Sequence, residues 1–486
     1  MMKADSLVLP AGAVLGLVTG IASVREQPLV TLLIAAAVGF GLGWRPLLLI
    51  GVIVIFDENY VASPYFQDSP PILTAGWQVY EQRTAGLSPA LALLMVAGVG
   101  ILIRLALRKR ADHSARQRAG DTAIAVLVGL CALSATMSLL QEDAAISART
   151  LIQMSINAFT AALPWITVLL AYLVCVHELR QPDFARRLGK LAVGALLVKA
   201  VIGLGVLLTH GGATVDAQSH VIFYDAALPA LAASGLLGYL LAPSSRQARV
   251  WCVLASSSIV LFSFRRAIWL ALVGGFLLLP IARKRTYIGA RVLGVIALGT
   301  VVVALLPAGV RSTAFGRVGS AISVVSSGRG EASAQAHADD VKVGLEAAKN
   351  NPFGGVGVRA PQLKKLAAEG ASALYVHNDF LQTWLRFGLA GVLGLVLLLA
   401  VAGQRAWQLL SSEPLDALQA SAAAFCLIIA LPLMTAPFIT TTRRWPILLG
   451  IAMAIVRSAL VRRNASQVVA APAETVRRLV AAGAGQ

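Results

Sequence analysis

An all-α, polytopic transmembrane bundle is the fold class that this sequence predicts, and three observations predict it. Of the 486 residues, 57% are hydrophobic and only 13% charged, about half the charged fraction of an ordinary soluble domain. A soluble fold of this length must cover itself with polar side chains, which this composition does not supply. The apolar residues fall in about fourteen runs between charged or proline-bearing loops, and a bilayer-crossing helix needs about 20 of them. The third observation is the balance of 41 Lys+Arg against 23 Asp+Glu, a net +18, gathered in alternate loops as the positive-inside rule requires. A conventional cytosolic enzyme is thereby excluded, and no nucleic-acid partner is expected despite the charge.

Taken in order, the spans are expected at 7–24, 29–43, 46–56, 88–107, 121–140, 159–176, 191–208, 226–242, 250–263, 267–281, 291–306, 378–402, 418–439 and 446–461. The third and ninth are short, and either also reads as a half-span or part of a re-entrant pair, which would leave about twelve. The first begins after a single Lys3 and lacks a small-residue cleavage site, so it reads as a retained helix. The loop with Arg104, Arg108, Lys109, Arg110, Arg116 and Arg118 is the most basic and is assigned to the cytoplasm. Alternation then places Arg180 to Lys190, Arg246 with Arg249, Arg283 to Arg291 and both termini on the same side. The cysteines Cys131, Cys175, Cys252 and Cys426 sit in apolar stretches without CxxC spacing and read as small buried hydrophobes.

Four units follow: a bundle over 1–306, an outer loop domain over 307–377, the rest of the bundle over 378–463, and a cytoplasmic tail over 464–486 expected to carry little fixed structure. A shorter outer loop, 57–87, is broken by Pro64, Pro70 and Pro71, with Pro89 just beyond. In the large loop, Asp339 to Ala348 reads as an amphipathic helix stopped by Asn350-Asn351-Pro352 and the glycine turn Gly354 to Gly357. Loops on a rigid scaffold are where binding and catalytic residues concentrate.

Several cations lie where the positive-inside rule gives no reason for them. Arg265 and Arg266 fall at the outer junction of the ninth and tenth spans, Arg443 and Arg444 at that of the last two, and Arg311, Arg317 and Arg329 in the large loop. Lys199 lies within the seventh span. Any single arginine is also explained by snorkelling to lipid phosphate. Cations gathered at one membrane face point to an anionic ligand, because charges there are costly unless paired or used.

His377 opens the stretch HNDFLQTWLRFGLAG, in which Asn378, Gln382 and Arg386 form a polar stripe while His377, Leu381 and Trp384 share another face. Such a stripe is not expected to face lipid. His377 can accept a proton from a hydroxyl near neutral pH, or simply hydrogen-bond the loop. Lys199 and His210 are three turns apart on one helical face, and His220 follows in the next outer loop; His113, His177 and His337 read as solvated. Asp339 and Asp340 are adjacent and point apart on a helix, and no HExxH, DxD or carboxylate–histidine spacing marks a metal site on the outer side. No P-loop or GxSxG occurs, and the Gly354–Gly357 turn follows a helix where a phosphate cradle would open one.

The order FRRAIWLAL, AAKNNPFGGVGVRA, VHNDFLQTWLRFGLAG resembles the O-antigen ligase and Wzy-type polysaccharide polymerase superfamily, over about residues 190–400. The matching features are Arg266 with Trp269, the turn Asn351-Pro352-Phe353-Gly354-Gly355-Val356-Gly357 with one inserted residue, and the pair His377-Asn378. The family's usual arginine between the spans at 191–208 and 226–242 is missing; His220, Arg329, Lys199 or Arg443 are the candidates to replace it. The resemblance implies an inverting glycosyltransferase of the GT-C type, free of metal and cofactor, in the bacterial inner membrane with its active site facing the periplasm. It implies an undecaprenyl-diphosphate-linked glycan as donor, lipid A core or another lipid-linked glycan as acceptor, and membrane lipids as surroundings. Arg266 and His377 are then the catalytic pair, with Arg265, Arg329, His220, Lys199, Asn378 and Arg443 binding substrate. A polymerase of repeat units, or a polysaccharide or lipid-linked solute transporter, are the rival readings; no internal repeat of the kind transporters carry is evident.

Overall fold

The computed structural model describes residues 148–209, 227–242, 246–263, 265–283, 332–355, 376–412, 415–436, 438–441 and 444–483. The first five expected spans, the eleventh at 291–306, the loop 57–87, Cys131, His210, His220, Arg311, Arg317, Arg329 and Arg443 lie outside the described residues. Among the described residues the chain is all helical, without a strand.

The helices are α1 (Ala148–Glu178), α2 (Pro182–Thr209), α3 (Ala227–Leu241), α4 (Arg246–Phe262), α5 (Arg266–Arg283), α6 (Ala332–Asn350), α7 (Asp379–Leu410), α8 (Ala417–Ile428), α9 (Ala430–Leu433), α10 (Phe438–Thr441) and α11 (Arg444–Gly483). Helices α1 to α5, α7 and α11 overlap the spans expected there, the first two extending further at their N-terminal ends. The span expected at 418–439 is instead broken. Pro432 offers no N–H to the ladder, and a turn at 434–436 separates α9 from the short α10. The stretch beyond 464, expected to lack fixed structure, continues α11 as helix to Gly483, in keeping with its alanine content. Helices α7 and α11 (to Ala465) are long and apolar enough to cross a membrane, whereas α3, α4 and α5 are shorter apolar helices.

Helix α3 is the centre of the packing. Almost all its side chains are buried, and it contacts α4, α5, α8 and α11. Its approach to α8 is close because Gly238 faces Ser421, where a Cβ would overlap the serine; small residues at helix crossings let backbones approach and gain dispersion contact without help from water. Gly450 of α11 lies in the same way against Val168 and Ala171 of α1. Outward, α5 presents Leu270, Val273, Leu277 and Ile281 on one stripe and α7 presents Leu393, Val396 and Leu397, all more than 45% exposed. In water that would be a large apolar liability; in a bilayer it is the lipid-facing surface. Cys175, Cys252 and Cys426 are free and buried, as their apolar settings predict.

Candidate functional site

The site is built where α7 begins, and three consecutive residues there bind three different parts of the chain. Asn378 is the N-cap of α7: its Oδ1 accepts from the Leu381 N–H at 3.0 Å, and its amide donates to the Met434 carbonyl at 3.2 Å. Asp379 is wholly buried and accepts from the Ile439 and Thr440 N–H groups and from the Thr440 hydroxyl at 2.7 Å. It thereby satisfies N–H groups that the short helix α10 leaves without intrahelical partners. Arg386, two turns along α7, donates to the Thr440 carbonyl at 3.3 Å. The polar stripe read from the sequence thus faces protein. Gln382 turns back to accept from the Val376 N–H at 2.9 Å, fixing the approach to the helix.

His377 meets a partner that the sequence reading passed over. Its Nδ1 lies 2.9 Å from Oδ2 of Asp340 on α6, both side chains being partly buried. Burial holds the imidazole below its ordinary value of 6.5, with the Asp340 hydrogen bond and charge opposing that effect. Asp340 reaches the ring because α6 runs parallel to the start of α7 in a constant register. Asp340 meets His377, Gly344 meets Leu381, and the Pro352 carbonyl accepts from Leu389 N–H; each pair is 37 residues apart. Asp340, Gly344 and Ala348 are steps of four on one α6 stripe, matching His377 just before α7 and Leu381 and Leu385 on it. Ala348, Val376, Leu381 and Leu385 form a small core between them.

The Asn351–Gly355 turn locks this register from below. Pro352 accepts from the Trp384 indole at 2.9 Å and from Leu389 N–H at 3.0 Å. The second donor is available because α7 is kinked at Gly388, where φ is 69° and ψ −168°, so Leu389 does not need Leu385 as its acceptor. The Phe353 carbonyl packs against the Gly388 backbone, and Gly355, at φ 70°, fits against the Trp384 and Leu385 carbonyls. The glycine turn, an unconvincing phosphate cradle in the sequence, is a docking device.

Arg265 and Arg266 stand at the sharp turn from α4 into α5, both half-exposed. Ser263 accepts from Arg265 N–H at 3.3 Å, and the Trp269 indole donates to the Val260 carbonyl at 2.9 Å, tying α5 back to the end of α4. Trp269 is therefore the tie that sets the two arginines at the turn. Neither α5 nor α11 has an acidic residue in its first turn, and each opens on an arginine, Arg266 and Arg444. Cations at the positive end of a helix dipole are unfavourable by themselves and raise the attraction for an anion. Trp445, buried and stacked on Phe438 with centroids 4.8 Å apart, anchors the segment that follows Arg444. Lys199 is buried within α2.

The structure therefore joins His377, Asn378 and Asp379 to the 434–440 segment and to α6, and packs α5 against α7. Asp340 and Asp379 were missed as site residues, one hidden by 37 residues of separation and the other readable only as an acidic residue in a first helical turn. An Asp379→Ala variant is expected to lose about 1–3 kcal/mol, since the groups it satisfies would be left buried and unpaired. Thermal unfolding in detergent reads this, and an unchanged midpoint would remove Asp379 from this role.

Residues 251–396 match the sequence model of the O-antigen ligase family. The match contains all three motifs that carry the resemblance, and so shows it over that stretch. No curated protein sequence matches the chain.

Proposed function

We propose that this protein is a multi-pass inner-membrane glycosyltransferase of the O-antigen ligase type, which transfers a glycan from undecaprenyl diphosphate to a saccharide acceptor at the periplasmic face. The observation that carries the reading is the O-antigen ligase match over 251–396, which encloses both Arg266 and His377. The outward apolar stripes on α5 and α7 support a membrane setting.

The chemistry asks for these residue types. The donor's C1–O bond breaks as its electron pair leaves with undecaprenyl diphosphate, and a permanently charged, forked guanidinium stabilises that developing charge. Arg266 takes this role with Arg265 beside it, at a helix end that already favours anions. The acceptor hydroxyl is a weak nucleophile, and Nε2 of His377 takes its proton as the oxygen bonds to C1, inverting the centre. Asn378 and Arg443 are further candidates for substrate contact, and Arg329, His220 and Lys199 for contact with the diphosphate. No metal or cofactor is required by this scheme.

Reconstitution with an undecaprenyl-diphosphate-linked oligosaccharide tests it. Release of undecaprenyl diphosphate with growth or relocation of the glycan is expected; movement of the intact lipid-linked glycan across the bilayer without bond cleavage would show a transporter. Supplying lipid A core in one arm and only lipid-linked repeat units in another separates ligase from polymerase. Arg266→Lys keeps the charge and loses the fork, and its transfer rate is expected to fall by about tenfold or more; undiminished activity would mean that a point charge suffices.

A further inference from the structure

We propose that Asp340 is the positioning residue for His377: a carboxylate delivered by the extramembrane helix α6 that holds the imidazole in the tautomer with its hydrogen on Nδ1 and balances the charge the ring gains on taking a proton. The role in transfer rests on the proposed function; the pairing does not.

The tautomer follows from the donor inventory. A carboxylate only accepts, so the 2.9 Å contact places the hydrogen on Nδ1 and the lone pair on Nε2. Without that partner the neutral ring divides between tautomers, and the form protonated on Nε2 has no lone pair there for a hydroxyl proton. When Nε2 takes that proton, the acceptor oxygen bonds to C1, the C1–O bond to undecaprenyl diphosphate breaks, and the imidazolium faces Asp340 across an existing hydrogen bond.

The delivery of Asp340 is built into the fold. Gly344 allows α6 to lie against Val376, Leu381 and Leu385, where a Cβ would stand only 3.0 to 3.4 Å from those side chains. Eight residues beyond Gly344, the Pro352 carbonyl fixes the same register through Leu389 N–H and is held in place by the Trp384 indole. Asp340 is thus held by contacts that do not involve His377, which is what distinguishes a preorganised partner from a chance surface pair. Asp339, the next residue, is exposed on another face of α6.

The test is the titration of His377 in the purified full chain, read by diethyl pyrocarbonate labelling and mass spectrometry of the His377 peptide across pH. It needs no substrate. Asp340→Asn removes the negative charge that favours the imidazolium and leaves only a neutral amide oxygen to accept from Nδ1, so the labelling midpoint is expected to move down by about one pH unit. Asp339→Asn is expected to leave it in place. An unmoved midpoint in Asp340→Asn, or an equal shift in Asp339→Asn, overturns the pairing. The wild-type chain alone offers a second reading. With Nδ1 engaged, His377 is expected to take one label and stop; ready double labelling with ring opening would overturn the assignment even if the variants do not fold. In the transfer assay with the undecaprenyl-diphosphate-linked oligosaccharide, Asp340→Asn is expected to lower kcat about 100-fold with KM little changed, and Asp340→Glu to recover part of it. A shifted midpoint in a chain whose wild type transfers nothing keeps the pairing and removes the transferase reading; wild-type kcat in Asp340→Asn overturns the positioning role.

Discussion

His377→Ala is expected to reduce glycan transfer by about 10²–10⁴-fold, the usual contribution of a positioned base, while the protein inserts and accumulates normally. The ring lies outside the main helix core, and its hydrogen bond to Asp340 contributes about 1 kcal/mol to stability, so loss of transfer at normal protein levels would report chemistry. Full glycan assembly in cells carrying the variant at wild-type level would sink the assignment. The pH dependence has a definite sign. The active form is the neutral ring, and burial holds its pKa below 6.5 against the opposing pull of Asp340. Activity is therefore expected to stay level through neutral pH and to fall only as the medium is acidified below that value. A rate that falls already on lowering the pH from 8 to 7 would place the titration on another group.

Gly388→Ala is the substitution expected to cost most in structure. Gly388 lies at φ 69°, where a non-glycine residue pays about 1–3 kcal/mol, and its new Cβ would overlap the Phe353 carbonyl oxygen, a backbone atom. Either the Asn351–Gly355 turn leaves the kink or α7 straightens, and both release Pro352 from Leu389 and Trp384. Helix α6 then loses its lower anchor, and Asp340 its register with His377. Thermal unfolding in detergent is expected to show a clear loss of stability, accompanied by loss of transfer. Gly403→Ala, further along α7 with only Leu427 Cδ2 within 3.9 Å, is the comparison and is expected to be neutral. Equal behaviour of the two variants would show that the kink is dispensable.

Most of the helices were legible because they are apolar runs ended by charge or proline, a property of local composition, and α6 because its pattern is amphipathic. Seven of the expected spans that fall on described residues correspond to a single helix, and the helix expected at 339–348 is the C-terminal half of α6, which begins seven residues earlier at Ala332. The break after Leu433 was foreshadowed by Pro432 and Pro437, but its use, presenting the Met434 carbonyl to Asn378, depends on a contact across 56 residues. At the site, the residue types could be read, since an arginine pair at the turn between two apolar runs and a histidine at a helix start are visible in one dimension. Trp269 and the Asn-Pro-Phe-Gly-Gly turn were visible as a pattern, but their work as a tie to Val260 and a lock on Gly388 was not.

What the sequence determined by itself is the apolar, helical character of the described residues and the chemical inventory of arginines and one histidine, because hydropathy and residue type are local. Only the tertiary structure decided which groups act together. The stripe Asp340, Gly344, Ala348 has the same four-residue step as His377, Leu381, Leu385, yet nothing in that spacing says the two stripes face each other. The choice is made by a glycine that lets α6 approach and by a kinked helix that frees one N–H for Pro352. Close packing has few solutions, and this one sets a carboxylate against the histidine.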